Sequence, residues 1–188
     1  MTEPGASTAD AIRRAASGDA EALDEIAAAH RSRVLRTAIH LTGDPDLAED
    51  VTQDVFVRLQ NALLGFRGDA DLSTWLYRVT LNLCRDHARR RSRRAEVGLD
   101  QINPVDNDTT NPERALALDR LRDALRQALA NLPDEQREVV TLRFISDLPY
   151  AEIARLTGLP EGTVASRVFR GLRRLGETVE SRHLEIIK

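Results

Sequence analysis

Apolar positions recur at helical spacing along most of the chain, and no stretch keeps the strict alternation of a half-buried strand. Leu23, Ile26, Val34, Ala38 and Leu41 are spaced for one helix, or a broken pair, entered at Asp19. Asp44 before Pro45 predicts an N-cap followed by proline at the first helical position. The helix it opens carries Leu47, Val51, Val55 and Leu59 at four-residue intervals, an apolar stripe that needs a partner. Gly65 to Asp69 breaks the pattern and predicts a loop. The period returns as Leu72, Trp75, Leu76, Val79 and Leu83, then fades in a run of arginines.

From Glu96 to Pro112, glycine, prolines and a cluster of Asn, Asp and Thr replace the apolar period, which predicts a linker. A second periodic region follows, with Leu118, Leu121, Leu125, Ala128 and Leu132 on one face until Pro133 breaks it. Val139, Val140, Leu142 and Phe144 mark the next helix, Tyr150 to Thr157 a short one, and Glu161 to about Leu184 a long last one. The fold class this predicts is all-α. Two small helical domains, residues 20–95 and 113–188, are joined by a flexible linker over 96–112 and preceded by an N-terminal segment, 1–19.

Composition narrows the class without changing it. With 41% hydrophobic and 30% charged residues in 188, the chain reads as a soluble globular protein with room for two modest cores and not for a large two-domain enzyme. A net charge of -3 argues against a uniformly basic nucleic-acid coat, yet the charges are unevenly placed. Residues 1–60 hold eleven acids against six arginines, whereas Arg85 to Arg94 holds six arginines and one acid, Asp86. Such asymmetry predicts an acidic protein-docking surface and a separate anion-binding one. Lys188 is the only lysine, so the basic chemistry is that of arginine, which bonds phosphates and base edges with two parallel donors. The lone Cys84 makes no internal disulfide, Met1 to Asp10 lacks the pattern of a secretory leader, and no run approaches the ~20 apolar residues of a membrane span. A reducing cytoplasm and no membrane insertion are expected.

Three constellations carry chemistry. Tyr150 to Phe169 has the layout of a helix-turn-helix: Ala154 where the helices touch, Gly158 at the turn and Val164 anchoring the second helix. That second helix then presents Thr163, Ser166, Arg167, Arg170, Arg173 and Arg174, with no acid from 163 to 174, as a helix lying in a major groove would. A plain helical hairpin with a solvated basic face is the alternative. On the helix from Leu72, Arg78, Asn82, Arg85 and Arg89 share one face, an arginine track beside an amide that suits a single strand with one base taken out of its stack. The same arginines would also make an ordinary solvated face, and Trp75 suits a core better than a stacking platform. After Pro45, Asp46, Asp50 and Asp54 share a face with Gln53 beside them, which is either a solvated face or a docking surface for a basic partner. No catalytic set, cofactor fingerprint or metal-ligand spacing is present, so neither a cofactor nor a metal is expected.

In this order along the chain, the three constellations resemble bacterial sigma-70-family initiation factors of the short extracytoplasmic-function (ECF) group. The resemblance lies in Leu41-Thr-Gly-Asp…Ala-Glu-Asp-Val-Thr-Gln-Asp-Val-Phe-Val-Arg-Leu59, in Phe66-Arg-Gly-Asp…Ser-Thr-Trp-Leu-Tyr-Arg-Val79 with Asn82, and in Leu132-Pro…Arg-Glu-Val-Val…Arg143 running into the helix-turn-helix. It implies a region 2 bundle over residues 20–95 that binds core RNA polymerase and opens the -10 element, and a region 4 helix-turn-helix over 113–188 that reads the -35 element. It places Asp46, Asp50, Gln53 and Asp54 against the polymerase. The -10 surface would hold Arg78, Arg85 and Arg89, and Phe66, Arg67, Ser73 and Asn82 would line the pocket for a flipped base. Ala165, Ser166, Arg167, Phe169 and Arg170, with Thr163, Arg173 and Arg174 beside them, would meet the -35 element. Ala165 stands where some relatives have arginine, so base readout there reduces to a thymine-methyl contact at most. Core polymerase, promoter DNA and an anti-sigma protein are the partners implied. A stand-alone helix-turn-helix regulator would leave the acidic helix and the arginine track unused. A sigma-like decoy that binds only an anti-sigma protein would be expected to lose the arginines that are intact here.

Overall fold

The computed structural model describes residues 4–63, 72–95 and 124–186, with side chains placed over 10–63, 72–93 and 124–178. Among these residues the regular elements are helices: α1 (Pro4–Ala16), α2 (Ala20–Thr42), α3 (Pro45–Leu63), α4 (Leu72–Ala95), α5 (124–130), α6 (Asp134–Phe144), α7 (Tyr150–Thr157) and α8 (Glu161–Ile186). The expected loop at 65–69, the expected linker at 96–112, and Leu118 and Leu121 lie outside the described residues.

Capping sets the helix boundaries. Asp19 accepts hydrogen bonds from the backbone N–H groups of Glu21 and Ala22 at 3.0 and 3.3 Å and from Arg14 at 2.8 Å. The Ala22 amide and then Arg14 hold its carboxyl below the usual carboxylate range. From there α2 runs as a single helix to Gly43, whose φ of 71° is the left-handed conformation of a C-cap. Asp44 then caps α3 by accepting from Asp46 and Leu47 N–H, with Pro45 at the first helical position as expected. The apolar period fades beyond Leu83, yet α4 continues through the arginines to Ala95, because arginine is itself a good helix former.

The N-terminal unit packs α1 to α4 around Ile26, Val34 and Ala38 of α2, Val51, Val55 and Leu59 of α3, and Leu72, Leu76 and Leu83 of α4. Trp75 packs partly buried against this core, and α1 adds Ala11 and Ala15 within what the sequence marked only as a leading segment. The C-terminal unit buries Val139, Leu142, Leu148, Ile153, Leu156, Val164 and Val168. Gly158, at φ 73°, ends α7 and turns the chain into α8. Two expected core residues are displaced. α5 turns Ala128 and Leu129 inward and leaves Leu125 42% exposed, and Phe144, at the end of α6, is 53% exposed with the Arg143 guanidinium 5.8 Å from its ring centre.

Within α8, Gly171 marks a close approach: a Cβ there would stand 2.7 Å from Val140 Cγ2 and 3.5 Å from Gln136 Cβ. Glycine to alanine gains about 0.5–1 kcal/mol in a helix interior. Overpacking costs about 1–3 kcal/mol, and Val140 is buried at 3% exposure, so the clash wins. Gly171→Ala is expected to lower the melting temperature of the C-terminal transition, and adding Val140→Ala should recover part of the loss. A Gly171→Ala variant as stable as the wild type would show that α8 slides freely on α6.

The two units are packed together. Tyr77 and Leu81 of α4, with Leu41 of α2 partly buried beside them, belong to the core of the C-terminal unit. Thr37 and Ser146 hydroxyls lie 3.0 Å apart across the junction.

Candidate functional site

The acidic face of α3 follows from its buried stripe. Ala48, Val51, Val55 and Leu59 turn inward, which leaves Asp46, Asp50, Gln53 and Asp54 exposed on the outer side. Among the described residues Asp50 and Asp54 have no ion-pair partner, whereas Glu49 is tied to Arg31 of α2 at 2.6 Å. Val57, 57% exposed, falls within 20° of Asp50 at 100° per residue and sets an apolar spot in the acidic face, a contribution sequence reasoning missed.

On α4 the structure divides the predicted track. Arg78, Asn82 and Arg89 are exposed, and Ser73 is half-buried in the first turn. Arg85 instead turns toward the C-terminal unit, where its Nε and Nη2 donate to the two carboxylate oxygens of Glu138 at 2.9 and 2.5 Å. Phe66 and Arg67 lie outside the described residues. Cys84 faces the core, and burial pushes its thiol up to about 12, which leaves it without a thiolate to react or bind metal.

On α8, Val164 and Val168 anchor the helix in the core of its unit. The outward side carries Ser166, Phe169 at 68% exposure, Arg170, Arg173 and Arg174. Thr163 and Ala165 are half-buried. Arg170 folds back to donate to the Ser166 carbonyl at 3.2 Å, so its guanidinium is parked along the helix surface. Arg167 is different: its side chain is 19% exposed and its Nη2 lies 2.7 Å from Glu135 of α6. Of the four expected base- or phosphate-facing arginines of α8, Arg170, Arg173 and Arg174 are exposed, Arg173 with its Nε 3.5 Å from Glu177 of the same helix, whereas Arg167 is mostly buried against Glu135.

A cleft of about 770 Å³ lies between α4 and α6. Arg85, Arg89 and Arg93 line one wall, and Asp134, Glu135 and Glu138 line the other. These acids are the functional candidates the sequence did not yield; Glu138 sits inside the Arg-Glu-Val-Val stretch, but nothing local says which arginine it meets. Among the described residues no group of three His, Cys, Asp or Glu side chains is placed to hold a metal, and no helix is long and apolar enough to cross a membrane.

Comparison with known proteins matches both units. The model of sigma-70 region 2 matches residues 26–94, and that of sigma-70, region 4 matches residues 122–175. The RNA polymerase sigma-H factor of Pseudomonas aeruginosa is 30% identical over 177 residues, which cover 90% of this chain and 92% of that protein. The ECF RNA polymerase sigma factor SigW of Bacillus subtilis is 30% identical over 168 residues, 85% of this chain and 90% of SigW. Among solved structures, CnrH in complex with the cytosolic domain of CnrY superposes with a TM-score of 0.69 at 26% identity, over 93% of this chain and 98% of the other. The fold is also that of the sigma factor RpoE in its complex with the anti-sigma factor NepR from Bartonella quintana, with a TM-score of 0.66 at 24% identity, over 84% of this chain and 96% of that one.

Proposed function

The chain belongs to the sigma-70 family of RNA polymerase sigma factors, in its ECF group, and on that premise we propose how its three surfaces divide the work of promoter-directed transcription initiation. The outer face of α3, with Asp46, Asp50, Gln53 and Asp54, docks on a basic surface of core RNA polymerase. Arg78, Asn82, Arg85 and Arg89 of α4, together with Phe66, Arg67 and Ser73, track the -10 element and hold one flipped base. On α8, Thr163, Ala165, Ser166, Arg167, Phe169, Arg170, Arg173 and Arg174 meet the -35 element. Residues 20–95 act as region 2, 113–188 as region 4, and 96–112 as the spacer between them. The protein works in the cytoplasm as a dissociable specificity subunit with no catalysis of its own. An anti-sigma protein is its expected antagonist, in keeping with CnrH, which was solved with the cytosolic domain of CnrY bound.

The observation that carries this reading is the outward face of α8, where exposed Arg170, Arg173 and Arg174 follow a glycine-turned helix pair and no acid intervenes from 163 to 174. Run-off transcription with purified core polymerase on a promoter library, with start sites sequenced, tests it: initiation at sites sharing two short elements is expected. Random starts would remove the assignment.

Arg170→Ala separates two kinds of contact. If its guanidinium bonds a base with two donors, its loss costs about 1–3 kcal/mol at one position of the -35 element and relaxes selectivity there. A phosphate contact would instead weaken all sequences alike and reduce the salt dependence. We expect the first pattern, read from promoter strengths over a set of single-base -35 variants.

A further inference from the structure

We propose that Ser92 of α4 is a phosphorylation site, read by a serine/threonine kinase that recognises arginines ahead of its target, and that the phosphate disables the arginine track for DNA. The inference rests on the reading of α4 as DNA-facing and adds a covalent control to it. In the step itself the Ser92 Oγ bonds to the γ-phosphorus of a nucleoside triphosphate as the bond from that phosphorus to the β–γ bridging oxygen breaks. The nucleoside diphosphate leaves with the bonding pair, and the hydroxyl proton passes to the kinase's catalytic aspartate.

Of the serines in the chain, Ser92 alone directly follows three arginines, Arg89, Arg90 and Arg91, and Arg93 and Arg94 come after it. Guanidinium groups at fixed offsets are what the acidic subsites of a kinase cleft read, each through a charge-assisted pair. Three other serines have an arginine within the four residues before them, and there the arginine is engaged. Arg14, before Ser17, is bound to Asp19 and Glu25, and the Ser17 hydroxyl donates to the Arg14 carbonyl at 2.8 Å. Arg31, before Ser32, is bound to Glu49 at 2.6 Å. Arg143, before Ser146, donates to the Leu148 carbonyl at 3.2 Å, and Ser146 itself meets Thr37. Ser92 and the arginines from 89 to 93 are exposed, and among the described residues the Ser92 hydroxyl has no partner. Of these arginines Arg89 meets an acid, Asp86, at 3.6 Å, and Arg93 donates to the Arg89 carbonyl at 3.3 Å.

The end of α4 enters a kinase cleft at little cost. A kinase takes its target as extended chain, and every residue from Ala88 to Arg93 is exposed, so unwinding the helix from there to its end at Ala95 uncovers no core side chain. The last buried residues of α4, Leu83 and Cys84, lie about two turns before Ser92. Once placed, the phosphate acts through charge. Six arginines and Asp86 give Arg85 to Arg94 a net of five positive charges, which the roughly two negative charges of phosphoserine cut to about three. Its three oxygens accept from Arg89, one helical turn back, and from the adjoining arginines, so groups that would pair with the DNA backbone pair with the modified residue instead. A phosphate in the last turn also stands at the negative end of the helix dipole and loosens that turn.

The test uses the full chain, ATP and, as probe, the catalytic subunit of cyclic-AMP-dependent protein kinase, which selects arginines shortly before a serine. Tandem mass spectrometry is expected to place the phosphate at Ser92, and Ser92→Ala to take up none. Fluorescence anisotropy of a labelled promoter with core polymerase and the phosphorylated chain should then show binding roughly tenfold or more weaker than with the unmodified chain at ~0.1 M salt, and a log–log salt slope shallower by about 2. Ser92→Glu should show part of that loss, and Ser92→Ala none. Chain isolated from its own cells should run as two bands on a phosphate-affinity gel, the slower one vanishing in Ser92→Ala. Phosphate at Ser17 or Ser32 in place of Ser92, or a single band through growth and stress, would overturn the site. Unweakened promoter binding by the phosphorylated chain would overturn the control it is assigned. The modification is read without DNA or polymerase, and run-off transcription with the unmodified chain reads the initiation function, so either can fail alone.

Discussion

Replacing Asp50, Gln53 and Asp54 together with alanine is expected to abolish binding to core polymerase while leaving the fold intact. The fold half of this expectation follows from placement: all three are exposed, and α3 is held by Val51, Val55 and Leu59 on its other side. Surface substitutions of this kind shift stability within about 0.5 kcal/mol, and alanine is the better helix former by a few tenths of a kcal/mol each. The melting temperature should therefore hold or rise slightly. The binding half follows from charge: close charge pairs across protein interfaces couple by about 1.5–7 kcal/mol, so even two lost pairs at the low end remove about 3 kcal/mol, more than a hundredfold in affinity. Fluorescence anisotropy of the labelled chain against purified core polymerase measures it. Unchanged affinity in the triple variant would move the docking surface elsewhere on the molecule.

How much of this was legible in the sequence depends on what each helix has to bury. α3 was, because one stripe and one cap define it. Gly158 and Val164 likewise mark the α7–α8 turn in the sequence, since a left-handed cap and an apolar anchor at fixed spacing have few other uses. α1 was missed because its buried side is made of Ala11 and Ala15, too small to stand out as a stripe. The packing of the two units was missed for a different reason. α4 buries two faces: Leu72, Leu76 and Leu83 in its own bundle, and Tyr77 and Leu81 in the other. A single-stripe reading assigns the remainder of the helix to solvent. At 100° per residue Arg85 lies only 40° from Leu81, so the spacing Tyr77, Leu81, Arg85 was itself a second stripe ending in a charge. What no spacing supplies is the partner, Glu138, which arrives from 53 residues away.

Asn82→Ala is the variant for which fold and function should move in opposite directions. Asn82 is exposed on α4, one turn from Arg78 and from Arg85, and it belongs to neither buried face. Asparagine is a poorer helix former than alanine by up to about 0.7 kcal/mol, so the substitution should stabilise the free chain slightly. If the amide holds a base drawn out of the duplex, it acts only after unpairing, and its hydrogen bonds favour the open complex alone. Two such bonds at about 1 kcal/mol each come to about 2 kcal/mol, or roughly thirtyfold in the equilibrium between closed and open promoter complexes. Gel shifts of the closed complex formed by polymerase carrying the variant should match the wild type, while permanganate reactivity of thymines in the -10 element should fall steeply. Normal permanganate reactivity together with a raised melting temperature would leave Asn82 as a solvated helix residue and remove the amide from the opening step. A drop in both closed-complex formation and reactivity would instead make it a backbone contact, in line with Arg78 one turn before it.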